Sequence, residues 1–291
     1  MIDAHHHIWR QADLPWLQGP EVPRIFGPYG PLRRDYPMAE FLQDIAGTGI
    51  TKSVYVQANW PPDRAAAELA WVAGEAAITG WPHAIVGYAD LGAGDVRPAL
   101  DQLARTPLLR GIRQQFHWHA NPAYRFATRP DLATDRTVQR NAAHLGAYNL
   151  VFELQLFAEQ MEGGAALAAA CPDTTFVLQH AGMLEDRTVA GRARWETGLR
   201  RLAACPNVVA KLSGFGTFCH SLDPAFVADM VETTVGLFGA ERCLYGSNFP
   251  IEKLWTGYAD LFAAFQSATT PFTPAERAAI FTGTAARIYR I

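Results

Sequence analysis

The sequence contains no run of about 18 apolar residues, which a membrane-spanning helix needs. No basic stretch followed by an apolar segment precedes the first histidines, so we expect no secretory signal. The four cysteines form no CxxC pair and lie far apart, which is typical of free thiols rather than of a disulfide framework. The net charge of −3 offers no electrostatic reason to expect nucleic acid or a membrane surface as a partner. These absences together predict a cytoplasmic protein.

The composition is that of a globular protein with a sizeable core. Hydrophobic residues make up 49% of the 291 residues and charged residues 18%. The chain is long for one average domain, but it has the length of a single α/β barrel. It contains no linker rich in Ser or Gly and no sequence repeat, so we predict one domain over residues 1–291.

Short apolar, β-branched segments recur along the whole chain, separated by Ala- and Leu-rich segments with helical periodicity. The predicted strands are residues 2–7, 53–58, 84–89, 109–115, 150–155, 175–180, 207–213 and 243–248. Eight alternations of strand and helix predict an α/β fold, a single (β/α)8 TIM barrel. An open doubly wound sheet is the alternative, and the lack of a Gly-rich phosphate-binding fingerprint argues against it.

Residues 9–38 depart from this rhythm, because they contain six prolines and five aromatic residues. A loop of this length in a compact domain is usually functional. Since it follows the first strand, we expect it to lie over the carboxyl-terminal mouth of the barrel, where active sites are found. Its arginines, Arg10, Arg24, Arg33 and Arg34, could present positive charge to an acidic substrate.

Polar side chains mark the ends of the predicted strands. Side-chain alternation places Asp3, His5 and His7 on one face of the first strand and His6 on the other. The polar residues at the other strand ends are Gln57, Asp90, Arg113, Gln115, Glu153, Gln155, His180, Lys211, Ser213 and Asn248. Burying polar groups is costly unless they are paired or used, so their convergence at one mouth predicts a functional site.

Three histidines form the strongest candidate cluster. Two histidines two residues apart on a strand lie about 7 Å apart at Cα, close enough to share a metal ion or a substrate oxygen. The alternative role for His5 and His7 is packing in the core. The presence of His180 at another strand end favours a chemical role for all three histidines. We predict these three as catalytic residues and as candidate metal ligands. The remaining histidines are expected at the surface: His83, His117, His119, His144 and His220.

Six motifs together carry a resemblance to a known family. They are D-x-H-x-H-x-W from residue 3, G-I-R at 111–113, Q-H-A-G at 179–182, K-L-S-G at 211–214, G-S-N-F-P at 246–250 and A-A-R-I-Y-R-I at 285–291. The chain resembles amidohydrolase family 2 from Asp3 to Ile291, and within that family the sugar-acid and pyrone-dicarboxylate lactonases. The resemblance implies a TIM barrel and a hydrolase. It also implies two modes, since some relatives hold a divalent metal and others hydrolyse lactones without one.

The resemblance suggests roles for individual residues. His5 and His7 match the pair on the family's first strand, and His180 matches its later histidine. Arg113 and Lys211 match positions suited to gripping a carboxylate or polarising a carbonyl.

The family pattern breaks at Asn248, where G-S-D-x-P usually carries an aspartate that acts as a base or a metal ligand. An amide cannot accept a proton in that role. We predict that Glu252 is the substitute base, with Asp90, Glu153 or a histidine as alternatives. The structural alternatives are a hydrogen-bonding role for Asn248 and a solvent-exposed Glu252 paired with Lys253.

The leading hypothesis is hydrolysis of a small cyclic ester, an acidic lactone from carbohydrate or aromatic catabolism. Arg113 and Lys211 are predicted to bind this substrate together with Gln57, Trp9 and Trp60. The alternatives are a metal-dependent non-oxidative decarboxylase and a ligand-binding barrel that has lost its base. We expect no required cofactor, or one weakly held divalent metal with zinc favoured. The expected partner is a small molecule, not nucleic acid or a membrane, and the oligomeric state is left open, a homodimer included.

Overall fold

The computed structural model describes residues 1–291 and contains one sheet of eight parallel strands in the order β1 to β8. The strands are β1 Ile2–His6, β2 Lys52–Val56, β3 Ala84–Gly87, β4 Leu109–Gln115, β5 Val151–Gln155, β6 Phe176–Leu178, β7 Val208–Leu212 and β8 Cys243–Tyr245. Their residues are almost all buried, because the barrel interior lies on one face and helices cover the other. The predicted TIM barrel is confirmed.

Helices follow the strands and pack on the outside of the barrel. They are α1 Pro15–Gln18, α2 Met38–Asp44, α3 Ala65–Thr79, α4 Arg97–Leu103, α5 Arg136–Ala147, α6 Met161–Ala170, α7 Val189–Ala203, α8 Pro224–Phe238, α9 Tyr258–Ala268, α10 Pro274–Ala278 and α11 Thr284–Tyr289. Local sequence sets several of their starts. At α5, for example, the Asp135 carboxylate accepts the backbone N–H groups of Thr137 and Val138. None of these helices combines the length and the hydropathy of a membrane-spanning segment.

The seam between the first and last strands is closed just above β8. The backbone N–H of Asn248 donates to the carbonyl of His5 at 2.7 Å, and that of His7 donates to the carbonyl of Phe249 at 2.7 Å. The seam therefore places His5 and His7 beside the asparagine that replaces the family's aspartate.

Asp3 lies on the outer side of this seam. Its carboxylate accepts the backbone N–H of Ser247 at 2.9 Å and the hydroxyl of Tyr258 in α9 at 2.9 Å. The register of β1 against β2 shifts just after Asp3, as it does at a β-bulge. The prediction that Asp3 shares a face with His5 and His7 is therefore wrong, because a bulge interrupts the alternation.

The amino-terminal end of the barrel interior is apolar. It is filled by Ile2, Ala4, Val54, Val56, Ala84, Val86, Val151, Val177, Val209 and Leu244. Ala285, Ile288 and Tyr289 of α11 pack against these residues and close this end. The polar side chains come later along the strands, so the site lies at the opposite, carboxyl-terminal end.

Candidate active site

A cavity of about 400 Å³ lies at the carboxyl-terminal mouth of the barrel. Its polar lining consists mainly of His7, Gln57, Arg113, Gln115, His117, Gln155, His180 and Asn248. Its aromatic lining consists of Trp9, Trp16, Phe26, Trp60, Tyr88, Tyr124 and Phe126. Three arginines line the cavity (Arg24, Arg113 and Arg125) and no Asp or Glu does, so its charge favours an anionic ligand. The loop after β1 contributes to the wall, as its position predicted.

His7 presents one ring nitrogen to this cavity. Its Nδ1 lies 2.7 Å from the carbonyl oxygen of Val56, which can only accept a hydrogen bond. The proton therefore sits on Nδ1, and Nε2 carries the lone pair. Burial, followed by the nearby charge of Arg113, holds the pKa of His7 well below its usual value. The ring is neutral at pH 7 and able to accept a proton.

His180 reaches the cavity through a turn rather than along a strand. Strand β6 ends at Leu178, and His180 has φ 54°, in the left-handed region. Its Nδ1 lies 2.8 Å from the hydroxyl oxygen of Ser213. A Cβ on Gly214 would lie 2.5 Å from that same Nδ1, so only glycine leaves room for the ring. Burial, followed by the charge of Lys211, lowers the pKa of His180 well below its usual value.

His5 lies beneath the other two histidines. Its ring centroid is 5.1 Å from that of His7 and 4.8 Å from that of His180, so the predicted cluster exists. His5 itself is fully buried and does not line the cavity, with neither ring nitrogen hydrogen-bonded. Burial, then the charge of Lys211, lowers its pKa as well. Direct contact with a substrate is therefore open to His7 and His180 and closed to His5.

No carboxylate lines the cavity beside the three histidines that are the candidate metal ligands. No group of three or more His, Cys, Asp or Glu side chains is arranged to hold one. Burial, and after it the charges of Arg113 and Lys211, lowers the pKa values of the three histidines, and the positive potential of these two cations also opposes a divalent cation. With Asn248 in place of the family's aspartate, no anionic ligand offsets that potential.

Arg113 lines the cavity as predicted. Its guanidinium donates to the backbone carbonyl of Gln57 and, at 3.4 Å, to the side-chain oxygen of Gln179. Burial lowers the pKa of Arg113 to about 10, so the group keeps its charge at pH 7. Gln57 lines the cavity beside it.

Lys211 does not reach the cavity, which corrects its predicted role in substrate binding. Its Nζ lies 2.9 Å from both carboxylate oxygens of Glu153, and both side chains are completely buried. Glu153 also accepts hydrogen bonds from Tyr289 of α11 and from Gln179, the latter at 3.1 Å. This full set of partners also removes Glu153 as a candidate base.

Asn248 lines the cavity, whereas Glu252 lies behind it. The Glu252 carboxylate accepts the backbone N–H of Gly216 at 3.2 Å and the indole N–H of Trp255 at 3.2 Å, and the side chain of Asn248 lies close enough to favour its charged form. Burial raises the pKa of Glu252 to about 7. The structure places the Glu252 carboxylate behind the cavity wall, held by these neighbours, and not where a base acting directly on water would lie. The alternative of an exposed pair with Lys253 is wrong.

The remaining predicted residues either line the cavity or lie outside it. Trp9 and Trp60 line the cavity, whereas Asp90 is exposed and does not. His117 was expected at the surface, but it is buried and lines the cavity, and burial lowers its pKa to about 3. Extending the strand alternation two residues beyond Gln115 would have indicated it.

Comparison with known proteins decides the family. The family model described as amidohydrolase matches residues 2–291. The chain belongs to the amidohydrolase family. It is therefore a hydrolase built on this barrel.

Two proteins from Burkholderia species are similar over the full chain. L-fucono-1,5-lactonase from Burkholderia multivorans is 31% identical, covering 100% of this chain and 96% of its own length. The corresponding enzyme from Burkholderia ambifaria is 29% identical, covering 100% and 95%.

Solved structures agree on the fold. A crystal structure of a Burkholderia multivorans amidohydrolase with bound zinc is 29% identical, with a TM-score of 0.83 over 100% of this chain and 99% of that one. A 2-pyrone-4,6-dicarboxylic acid hydrolase from Pseudomonas putida, described as such provisionally, is 20% identical with a TM-score of 0.72 over 99% and 97%. At that identity, the second likeness shows the barrel alone.

Proposed function

We propose that the protein hydrolyses a small acidic lactone of the kind produced in sugar-acid or aromatic catabolism. The observation that carries this proposal is the pairing of a neutral His7 Nε2 with the Arg113 cation in one cavity that no carboxylate lines. The lactonases that share about 30% of the sequence support the same reaction class.

In the first step, His7 Nε2 accepts a proton from water while the water oxygen bonds to the lactone carbonyl carbon. The carbonyl π bond becomes an oxyanion, which the Arg113 guanidinium stabilises. A positioned base contributes about 10²–10⁴-fold to the rate. Removal of one oxyanion-stabilising donor typically costs about 10²–10³-fold.

In the second step, the oxyanion re-forms the carbonyl and the bond to the ring oxygen breaks. The leaving ring oxygen takes the proton held by His7, which regenerates the neutral imidazole and produces an open-chain hydroxy acid. Gln57, Trp9 and Trp60 hold the substrate ring, and Asn248 and His180 provide hydrogen-bonding groups beside it.

A panel of lactones tests this function. Sugar-acid 1,4- and 1,5-lactones and pyrone carboxylates are incubated with the protein, and acid release is followed with a pH indicator. We expect one class to be opened by the wild type and not by His7→Asn. Release of CO₂ from aromatic carboxylic acids without opening of any lactone would instead identify a decarboxylase. Binding without either reaction would identify a barrel that has lost turnover.

Elemental analysis of the same preparation tests the metal. We propose that zinc is held weakly, so protein purified without added metal should contain well under one equivalent. A chelator should leave lactone hydrolysis unchanged. Stoichiometric zinc that survives chelation would contradict this proposal and restore a metal-centred site.

The contact between Asn248 and Glu252 leads to a specific prediction. In Asn248→Asp two carboxyl groups would lie together, and such contact raises the pKa of one of them. We therefore expect the kcat/KM profile of this variant to gain a titration at higher pH, and the added change Glu252→Gln to shift that titration back down.

Glu252→Gln alone is the informative single variant. Because the carboxylate does not line the cavity, we expect turnover to fall by less than ~10-fold. Exposed Glu232 provides the matched control, and Glu232→Gln should leave the whole pH profile unchanged. A loss above ~100-fold in folded Glu252→Gln would show that Glu252 is the proton acceptor after all.

A further inference from the structure

One arginine of the loop after β1 differs from the other three. Arg10 pairs with Asp13, Arg34 pairs with Glu40, and Arg33 donates to the backbone carbonyls of Leu17, Gln18 and Gly19. Arg24 alone lines the cavity, and its Nε is buried without a hydrogen-bond partner. No carboxylate on the cavity wall neutralises it.

The backbone that carries Arg24 is held in place from two sides. The carbonyl of Arg24 accepts the N–H of Gly27 at 2.9 Å, which closes a tight turn. His220, from the loop after β7, lies 3.3 Å from the carbonyl of Ile25 through its Nε2. Gly27 has φ 71°, and a Cβ there would lie 3.0 Å from the His220 ring. The turn is therefore preorganised, and a ligand of Arg24 need not order it first.

The two other arginines of the cavity already have partners. Arg125 donates to the carbonyls of His119 and Ala120 and lies over the ring of Trp118 at 4.9 Å. The two terminal nitrogens of Arg113 donate to protein oxygens, its Nε is buried without a partner, and the group is assigned to the carbonyl of the substrate in the mechanism above. Arg24 is left as the arginine of the cavity wall whose guanidinium makes no hydrogen bond or ion pair within the protein.

We propose that Arg24 binds a carboxylate carried on the substrate ring, away from the ester that reacts. This proposal rests on the proposed function in placing both groups in one cavity. It narrows the substrate to a monocyclic lactone that bears a free carboxylate. A guanidinium matches a carboxylate through two parallel hydrogen bonds, and the surrounding aromatic wall accommodates the ring.

Calorimetric binding of stable ring compounds tests the proposal without turnover. The probes are furan-2-carboxylate, tetrahydrofuran-2-carboxylate and 6-oxo-1,6-dihydropyridine-3-carboxylate, each with its primary amide. We expect the wild type to bind at least one carboxylate more than ~10-fold tighter than its amide. Arg24→Gln should remove that preference with the amide affinity unchanged, and Arg24→Lys should retain part of it. Arg10→Gln, in the same loop but outside the cavity, is the matched control and should bind like the wild type.

Three results would overturn the proposal. The wild type could bind no probe carboxylate in preference to its amide, the preference could survive in Arg24→Gln, or Arg24→Gln could weaken carboxylate and amide equally. Failure of the lactone panel is a separate outcome: it would overturn the proposed hydrolysis, whereas an Arg24-dependent preference for carboxylates would still establish the binding site.

Discussion

His7→Asn is expected to lower kcat for lactone hydrolysis by ~100-fold or more while the protein stays folded. Asparagine can still donate a hydrogen bond to the Val56 carbonyl, but it has no nitrogen lone pair that accepts a proton at the position of Nε2. The variant therefore removes the proton acceptor and keeps the hydrogen bond to the Val56 carbonyl. The measurement is kcat and KM at pH 7, together with the unfolding midpoint in urea.

The matched control is the preceding histidine, His6, which is the last residue of β1. His6 points outward, stacks on Phe41 at 3.9 Å between ring centroids and contacts the hydroxyl of Ser53. His6→Asn should lose stability and keep its activity per folded molecule. If His7→Asn retained activity within a few-fold of the wild type, the base would have to be sought at His180.

The pH profile gives an independent check on His7. Burial and the charge of Arg113 lower its pKa, so the imidazole stays neutral down to pH values well below 6.5. Activity should accordingly be lost only as the pH falls through that lowered pKa. An acid limb of kcat/KM at 6.5 or above would contradict a buried, unprotonated His7.

The architecture could be predicted from sequence because it depends on local patterns. Each strand is a short apolar segment, and the eight predicted segments overlap the eight observed strands, differing by three residues or fewer at either end. The polar residue at each strand end also indicated correctly that the site lies at the carboxyl-terminal mouth of the barrel. Arg113 and His7 were found this way, since both lie where simple alternation holds.

The errors arose where the backbone departs from regular structure. The bulge in β1 moves Asp3 to the outside, although two-residue spacing groups it with His5. His180 and Asn248 reach the cavity from left-handed conformations, with φ 54° and 57°, which no alternation rule describes. Their motifs indicated them correctly, but the geometry that positions them lies in turns.

Long-range partners were the second source of error. Nothing near Lys211 in sequence shows that Glu153 lies beside it, and nothing near Glu252 shows that the backbone N–H of Gly216 binds its carboxylate. Both residues are polar: Lys211 lies one residue before the end of β7, and Glu252 lies in the segment after β8, where substrate-binding residues also occur. Only the folded structure distinguishes a charge used inside the barrel from one offered to a ligand.

Lys211→Met is expected to have the largest effect on stability, lowering the free energy of unfolding by ~3–5 kcal/mol. Removal of one partner of a buried ion pair leaves an uncompensated charge in the interior, here the fully buried carboxylate of Glu153. The double variant Lys211→Met/Glu153→Gln should recover most of the loss, since glutamine carries no charge and can still accept from Tyr289. Urea unfolding of the wild type, both single variants and the double variant measures this coupling.

Lys253→Met is the matched control for the loss of a lysine. Lys253 pairs with Glu40 and Asp44 while 30% of its side chain stays exposed, so its loss should cost ~1 kcal/mol or less. A similarly small loss in Lys211→Met would mean that the interior pair is not ionised.

The activity of the double variant, assayed where it is fully folded, then distinguishes a role of Lys211 inside the barrel from a role in substrate binding. A KM within a few-fold of the wild type fits a charge that acts only inside the barrel, whereas a large rise in KM would return Lys211 to substrate binding.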